Sequence, residues 1–321
     1  MCTAVFMKNK SALFGRNLDL EYHYDEKITF VPRNFPLVFK NFSGEKEHFS
    51  IIGTAIFEKG FPLFYDGMNE HGLCAAGLNF PGEAVYLPER EGFYNAASFE
   101  LIPRILGFCK NLREAKAVLE KTNITDRNFS ERFSATPLHW IFADKTGCIA
   151  AEPLGNGLKI SENPVGVLAN SPDFEFQMKN LENYLNVSPA EPESRFSEKI
   201  KLEPYSRGMG GIGLPGDFSS ASRFIRAAFA NCNSVSEGAE VSQFFHVLGY
   251  TEQINGCVRL PGGKLEKTVY SNCFDPEKGI CYWKTYENSR IRAVDMRKEN
   301  PCGDEIKTFP MFSAEDIEFL N

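Results

Sequence analysis

Long apolar runs are missing from this sequence. Nowhere do about 18 consecutive apolar residues occur, and the opening MCTAVFMKNKSALFGRN has no apolar stretch behind a basic segment. Neither a membrane-spanning helix nor a secretory leader is expected, so the expected location is cytoplasmic. A basic surplus is missing too: 35 Lys and Arg stand against 42 Asp and Glu, for a formal net charge of −7. Polyanion binding usually needs a basic patch or stripe, so no nucleic-acid partner is expected. Metal-ligand spacing is also absent. The 9 cysteines and 5 histidines are scattered, with none of the paired ligands two to four residues apart that zinc sites usually show. An odd count of 9 cysteines in 321 residues is too thin for a disulfide framework, and most of them read as small buried apolar residues.

What is present suits a sizeable core. Hydrophobic residues make up 43% and charged residues 24%, and 29 phenylalanines suggest an aromatic interior or an apolar cleft. Residues 1–321 are read as a single domain, because nothing in the composition marks a seam. The stretch 186–216, rich in Pro, Gly, Ser and charge, carries apolar Ile200, Leu202, Tyr205 and Ile212. It reads as a long excursion within that domain or an oligomer contact.

Several β-hairpins are predicted. CTAVFMK and ALFGRNLDL flank Asn9-Lys10-Ser11; PLFYDGMN and LCAAGLNF flank Glu70-His71-Gly72; LHWIFAD and CIAAEPL flank Lys145-Thr146-Gly147. PVGVLA reads as a strand ending at Asn170-Ser171-Pro172, and GICYWKTYE with RIRAVDM as a last hairpin. Helices are predicted over 97–108, 175–185 and 220–232, over the stretch that Asn111 and Glu114 open with a capping pattern, and where Val241, Phe244, Phe245 and Leu248 keep helical spacing. Antiparallel strands alternating with helices point to sheets covered by helices.

The chemistry turns on the cysteine directly after the initiator methionine. A small second side chain permits removal of Met1, which leaves Cys2 with a free α-amine beside its own thiol. An α-amine has a reference pKa of about 7.7–8.0 and a thiol about 8.5, so the neutral amine can take the thiol proton. An N-terminal amine is a recognised base for such a nucleophile. The first hairpin adds partners: with a tight turn between Lys8 and Ser11, residues whose numbers sum to roughly 19–20 pair, setting Arg16 to Leu18 opposite Cys2. Arg16 and Asp19 then lie beside the thiol. A guanidinium lowers a thiol pKa and a carboxylate can hold the amine, with an ordinary Arg16–Asp19 surface pair as the competing explanation.

MCTAVF followed by FGRNLDLEYHYDEKITFVPRNF resembles the bile salt hydrolase (choloylglycine hydrolase) and penicillin V acylase family of N-terminal nucleophile hydrolases. YDGMNEHGLCAAGLNFPG, PLHWIFAD, GVLANSPDF, GMGGIGLPGDFSSASRF and KTYENSRIRAVDM extend the resemblance over nearly the whole chain. It implies an α+β fold, a four-layer αββα sandwich of two mainly antiparallel sheets between helical layers. It implies Cys2 as nucleophile, Arg16 and Asp19 as activating and orienting residues, Asn79 and Asn170 as the oxyanion pair, and Arg223 as a support. Members commonly carry threonine before the second asparagine, where this chain has Ala169, so a hydroxyl that could support Asn170 is missing.

The implied reaction is amide hydrolysis through a thioester, with no metal or organic cofactor. Asn79 favours bile salt hydrolase, since penicillin V acylases often carry tyrosine there. The substrate is then a conjugated bile salt, and a rigid steroid needs an apolar cleft, for which Leu18, Phe57, Tyr65, Phe129 and Phe133 are candidates. A homotetramer is implied. Penicillin V acylase stands as one alternative, and a non-catalytic binding or thiol redox protein of the same fold as another.

Overall fold

A computed structural model of the chain describes residues 1–40 and 47–321. One sheet has the order β12 (Val167–Leu168), β1 (Cys2–Lys8), β2 (Ala12–Leu20), β14 (Leu265–Asp275), β15 (Ile280–Thr285) and β16 (Arg292–Asp295), with β13 (Val258–Arg259) also pairing with β14. The other has the order β11 (Gly157–Glu162), β10 (Gly147–Leu154), β9 (Leu138–Asp144), β6 (Cys74–Asn79), β5 (Phe61–Asn69), β4 (Ile51–Glu58), β3 (Lys27–Val31) and β17 (Lys307–Phe309). All neighbours in both sheets are antiparallel, and a short parallel pair, β7 (Tyr94–Ala97) and β8 (Thr122–Thr125), stands apart.

Helices α1 (Leu101–Phe108) and α2 (Leu112–Leu119) pack on the outer face of the second sheet, whereas α4 (Ser220–Asn233) and α5 (Glu240–Gly249) pack on the first; α3 (Phe174–Asn180) lies against α4. This is the expected αββα sandwich. Strand β9 shows how sequence builds it, because its near-continuous apolar run is buried on both faces. Ile141 and Ala143 point into the core shared by the two sheets, while the alternate Trp140 and Phe142 meet the α1–α2 layer.

The predicted hairpins form where turn chemistry asks for them. Gly72 closes the 70–72 turn at φ +82°, and the Asn69 side chain accepts the His71 and Leu73 amides at 3.0 Å each. Its Nδ2 donates to Leu106 and Cys109 carbonyls, fastening the hairpin to the end of α1. Asn111 caps α2 by accepting from Glu114 N at 3.0 Å. The PVGVLA stretch is regular only over Val167–Leu168, because Gly166 at φ +69° bends against β1. A Cβ there would lie 2.2 Å from the Phe6 carbonyl. Of the cysteines, Cys2, Cys74, Cys109, Cys148, Cys273 and Cys281 are buried, while Cys232, Cys257 and Cys302 are exposed.

Candidate active site

The first hairpin has the register Cys2↔Leu18, Thr3↔Asn17, Ala4↔Arg16. Directly opposed residues share a face, so Cys2, Leu18 and Arg16 look toward the second sheet, and Thr3, Asn17 and Asp19 look toward the helices. Arg16 is thus the diagonal neighbour of Cys2 on the cleft side. The Asp19 side chain is on the far side of the strand: Thr268 Oγ1 donates to its Oδ1 at 2.6 Å, and its Oδ2 stands 3.9 Å from Arg223 Nη1. The sequence-based expectation of both flanking the thiol therefore holds in space only for Arg16, because strand alternation separates an even from an odd position.

Cys2, Arg16, Leu18, Tyr65, Asn79, Phe129 and Phe133 all line one cleft of about 350 Å³ that opens between the sheets. That volume is within the roughly 300–1,000 Å³ usual for small-molecule sites. Tyr65 is driven to a raised pKa chiefly by burial, so its hydroxyl stays protonated in the cleft wall. Phe57 does not line the cleft. It alternates with the cleft-lining Ile56, is 49% exposed, and packs edge-on to Phe35 at 6.2 Å.

Arg16 is fully buried. Its Nη1 donates to the carbonyls of Gly77 at 2.6 Å and Tyr65 at 3.2 Å, and Nη2 has no hydrogen-bond partner among the described residues. Burial pulls the guanidinium pKa down, but proximity to Cys2, Tyr270, Asp66 and Asp19 more than offsets this and leaves it raised. Behind Arg16 lies a polar network between the sheets. Asn272 accepts from Arg16 N at 3.0 Å and donates to Asp66 Oδ1 at 2.7 Å, and Tyr270 donates to Asp66 Oδ2. Burial raises the Asp66 pKa, with Arg16 pulling the other way.

Asn170 is the junction of the site. Its Oδ1 accepts the Cys2 backbone N–H at 2.8 Å and Arg223 Nη2 at 2.7 Å, its Nδ2 donates to the Asn79 carbonyl at 2.6 Å, and its own N–H donates to Ser220 Oγ at 2.8 Å. Support thus reaches Asn170 from α4, where Ser220 and Arg223 stand one turn apart, and the residue before it, Ala169, has no hydroxyl to add. Arg223 also donates to the Cys2 carbonyl and to Thr3 Oγ1 at 2.6 Å.

Asn79 ends β6. Its neighbour Leu78 pairs with His139, and Phe80 N donates to Pro137 O at 2.8 Å, so Asn79 falls in the alternate set whose backbone groups face away from β9. Its carbonyl already meets Asn170, and its N–H faces the same way. Asn170 Nδ2 keeps a second hydrogen beyond the one it gives the Asn79 carbonyl, while its Oδ1 accepts the Cys2 N–H, so one side chain bridges the Asn79 and Cys2 backbones.

Met1 continues the hairpin by one step, its N donating to Asp19 O at 2.6 Å and its O accepting from Asp19 N at 2.9 Å. Its ammonium also meets the buried Glu266 at 2.9 Å. Glu266, Thr268 and Tyr270 come from β14, a strand the sequence reading did not name. A signal was there: the β-branched and aromatic run TVYSNCF leads into Asp275-Pro276-Glu277-Lys278-Gly279, a turn-forming cluster, before GICYWKT. Ser220 and Asp66 carried no comparable signal.

Two facing antiparallel sheets between helical layers, with a cysteine heading a central strand, define the class as an N-terminal nucleophile hydrolase. The family model for linear amide C–N hydrolases, choloylglycine hydrolase family, matches residues 2–309. A bile salt hydrolase/transferase of Lactiplantibacillus plantarum is 47% identical over all of both chains, and one of Clostridium perfringens is 38% identical over all of both. A crystal structure of the Clostridium perfringens conjugated bile acid hydrolase superposes with a TM-score of 0.92 at 37% identity, each chain covered fully. Penicillin V acylase from Agrobacterium tumefaciens shares the fold, at a TM-score of 0.72 and 18% identity over 96% of this chain and 90% of that one. The chain belongs to the choloylglycine hydrolase family.

Proposed function

We propose that this chain is a bile salt hydrolase that splits the amide bond of glycine- or taurine-conjugated bile salts through a thioester on Cys2. The observation that carries the reading is the Asn170 side chain, which joins the Cys2 backbone nitrogen to the Asn79 carbonyl at the head of an apolar cleft. The substrate class is supported by relatives named bile salt hydrolase/transferase that match the chain from end to end.

Removal of Met1 turns the Cys2 nitrogen into an amine. In this mechanism it keeps Asn170 Oδ1 as acceptor, which leaves its lone pair for the thiol proton. The sulfur attacks the amide carbon, and the oxyanion is taken up by the Asn79 N–H and Asn170 Nδ2. Collapse breaks the C–N bond, and the new ammonium gives its proton to the leaving nitrogen, releasing glycine or taurine. Water, deprotonated by the amine, then cleaves the thioester and frees the bile acid. Arg16 holds positive charge beside the sulfur. Asp19 offers its buried Oδ2, which has no hydrogen-bond partner among the described residues, to the neighbouring cations. Burial raises its pKa, and Arg223 and, before processing, the Met1 ammonium pull it back.

A cytoplasmic homotetramer belongs to the same reading. Phe196, Tyr205 and Ile212 in the 186–216 stretch are exposed, which supports its use as a contact, and light scattering that finds a monomer would remove that part.

The test compares glycocholate, taurocholate and penicillin V as substrates, with intact mass read on the same preparation. Turnover of the bile salts, loss of the Met1 mass and an acyl adduct on Cys2 are expected. Higher turnover of penicillin V would reverse the substrate assignment, and activity in a protein that fully retains Met1 would overturn the mechanism.

A further inference from the structure

The cleft leaves one buried titratable pair unused. His139 on β9 and Glu152 on β10 face each other between the sheets, at 0% and 1% side-chain exposure and 3.0 Å between Nδ1 and Oε1. Trp140 pairs with Ala151, so one further step of the same register puts these two side chains directly opposite. A pair this deep needs each polar atom satisfied, and its partners are informative.

His139 Nε2 meets the Ala169 carbonyl at 2.8 Å. A carbonyl can only accept, so Nε2 carries the hydrogen. Glu152 accepts from Phe174 N, at 3.0 Å to Oε1 and 3.1 Å to Oε2. The pair therefore grips the chain on both sides of Asn170: at the carbonyl just before it, and at the first residue of α3 just after its loop. The same imidazole stacks on Phe80, ring centroids 4.1 Å apart and planes 6° from parallel, and Phe80 follows Asn79. One ring thus touches the neighbours of both oxyanion asparagines.

We propose that His139, held by Glu152, is a positioning residue for the oxyanion pair: it fixes the Ala169–Asn170 peptide relative to the Asn79 strand end without touching substrate. A displacement of about 1 Å at a catalytic group can cost about 10²-fold in rate, which sets the scale. Both tetrahedral intermediates, in acylation and in thioester hydrolysis, use the same donors, so both steps depend on the clamp. Thiol reactivity depends on it less, because it draws on Arg16 and the amine and shares with the clamp only the Asn170 Oδ1 that the Cys2 nitrogen keeps. The inference rests on the reading of Asn79 and Asn170 given above.

The experiment uses the full mature enzyme and three variants. His139→Phe keeps a ring that can stack on Phe80 but cannot donate; His139→Gln keeps an N–H for the Ala169 carbonyl; Glu152→Gln keeps shape and an acceptor for Phe174 N. Read out are kcat and KM on glycocholate, the rate of Cys2 alkylation by iodoacetamide, and the melting midpoint. Expected for His139→Phe is a kcat about 10²-fold lower with KM within about twofold and a loss of alkylation rate at least tenfold smaller than the loss of kcat, and for His139→Gln a recovery of kcat of at least tenfold. Should His139→Phe not fold, Glu152→Gln decides, with an expected loss of about tenfold in kcat and a smaller loss of alkylation, because replacing the carboxylate weakens its bond to the ring. Wild-type kcat in His139→Phe, or in Glu152→Gln where His139→Phe does not fold, or a loss of kcat matched by an equal loss of alkylation, overturns the proposal. An inactive wild type that still alkylates would instead strike at the bile salt assignment.

Discussion

Arg223 Nη2 donates to Asn170 Oδ1 at 2.7 Å, with both side chains buried. The same guanidinium holds the Cys2 carbonyl, so one residue of α4 sets the Cys2 backbone and the Asn170 amide relative to each other. Burial pulls its pKa down, and Asp19, Cys2 and Glu266 partly offset this. Arg223→Ala is expected to lower kcat about 10²-fold and to cost about 3–5 kcal/mol of stability, since Asp19 is left buried without its cation. Arg223→Lys keeps the charge but not the fork, so stability recovers more than kcat does. Steady-state kinetics beside thermal melts measure this; a Lys variant with full activity would show that charge alone suffices.

In the proposed mechanism, Asn170→Ala removes a donor that acts only once charge has developed on the substrate oxygen. The expected loss is about 10²–10³ in kcat with KM little changed. A rise in KM at constant kcat would instead assign Asn170 to ground-state binding.

The aromatic wall gives a paired prediction. Phe129, whose ring meets Phe99 at 5.1 Å and Phe61 at 6.0 Å, lines the cleft, whereas Phe57 is outside it. Phe129→Ala is expected to raise KM for conjugated bile salts by about 10-fold or more, and Phe57→Ala to leave it unchanged. Equal effects at the two positions would contradict this placement of the cleft.

Asp66 predicts a pH dependence. Its pKa is raised in the folded protein, so the folded state binds its proton more tightly than the unfolded chain does. That contribution is full below the usual carboxylate range and is lost as pH rises through the elevated value. Asp66→Asn removes the titration, so the melting midpoint of the variant minus that of the wild type should increase from about pH 4 upward. A difference that is flat or falls with pH would show that Arg16 outweighs burial.

Much of this was readable before the structure. The hairpin Cys2–Leu20, the hairpins around Gly72 and Lys145-Thr146-Gly147, and helices α2, α4 and α5 followed from turn residues, caps and periodicity. Local rules see neither which face of a strand meets which layer nor which distant segment supplies a partner. Asp19 was therefore placed beside the thiol when it faces α4, and Phe57 in a cleft that its neighbour Ile56 lines. Glu266 and Ser220 are 265 and 50 positions from the groups they bond, and no spacing rule reaches that far.

The hairpin turn at residues 9–11 lies at the far end of the strand from the sulfur, yet it acts as the gauge of the catalytic cleft. The pairing Cys2↔Leu18 is counted out from that turn. Adding a single residue there would transpose β1 face for face, presenting Thr3 to the substrate and turning the thiol toward the helices. Substitutions in the loop are consequently cheaper than a one-residue change in its length, which would exchange the two adjacent side chains that can face the cleft.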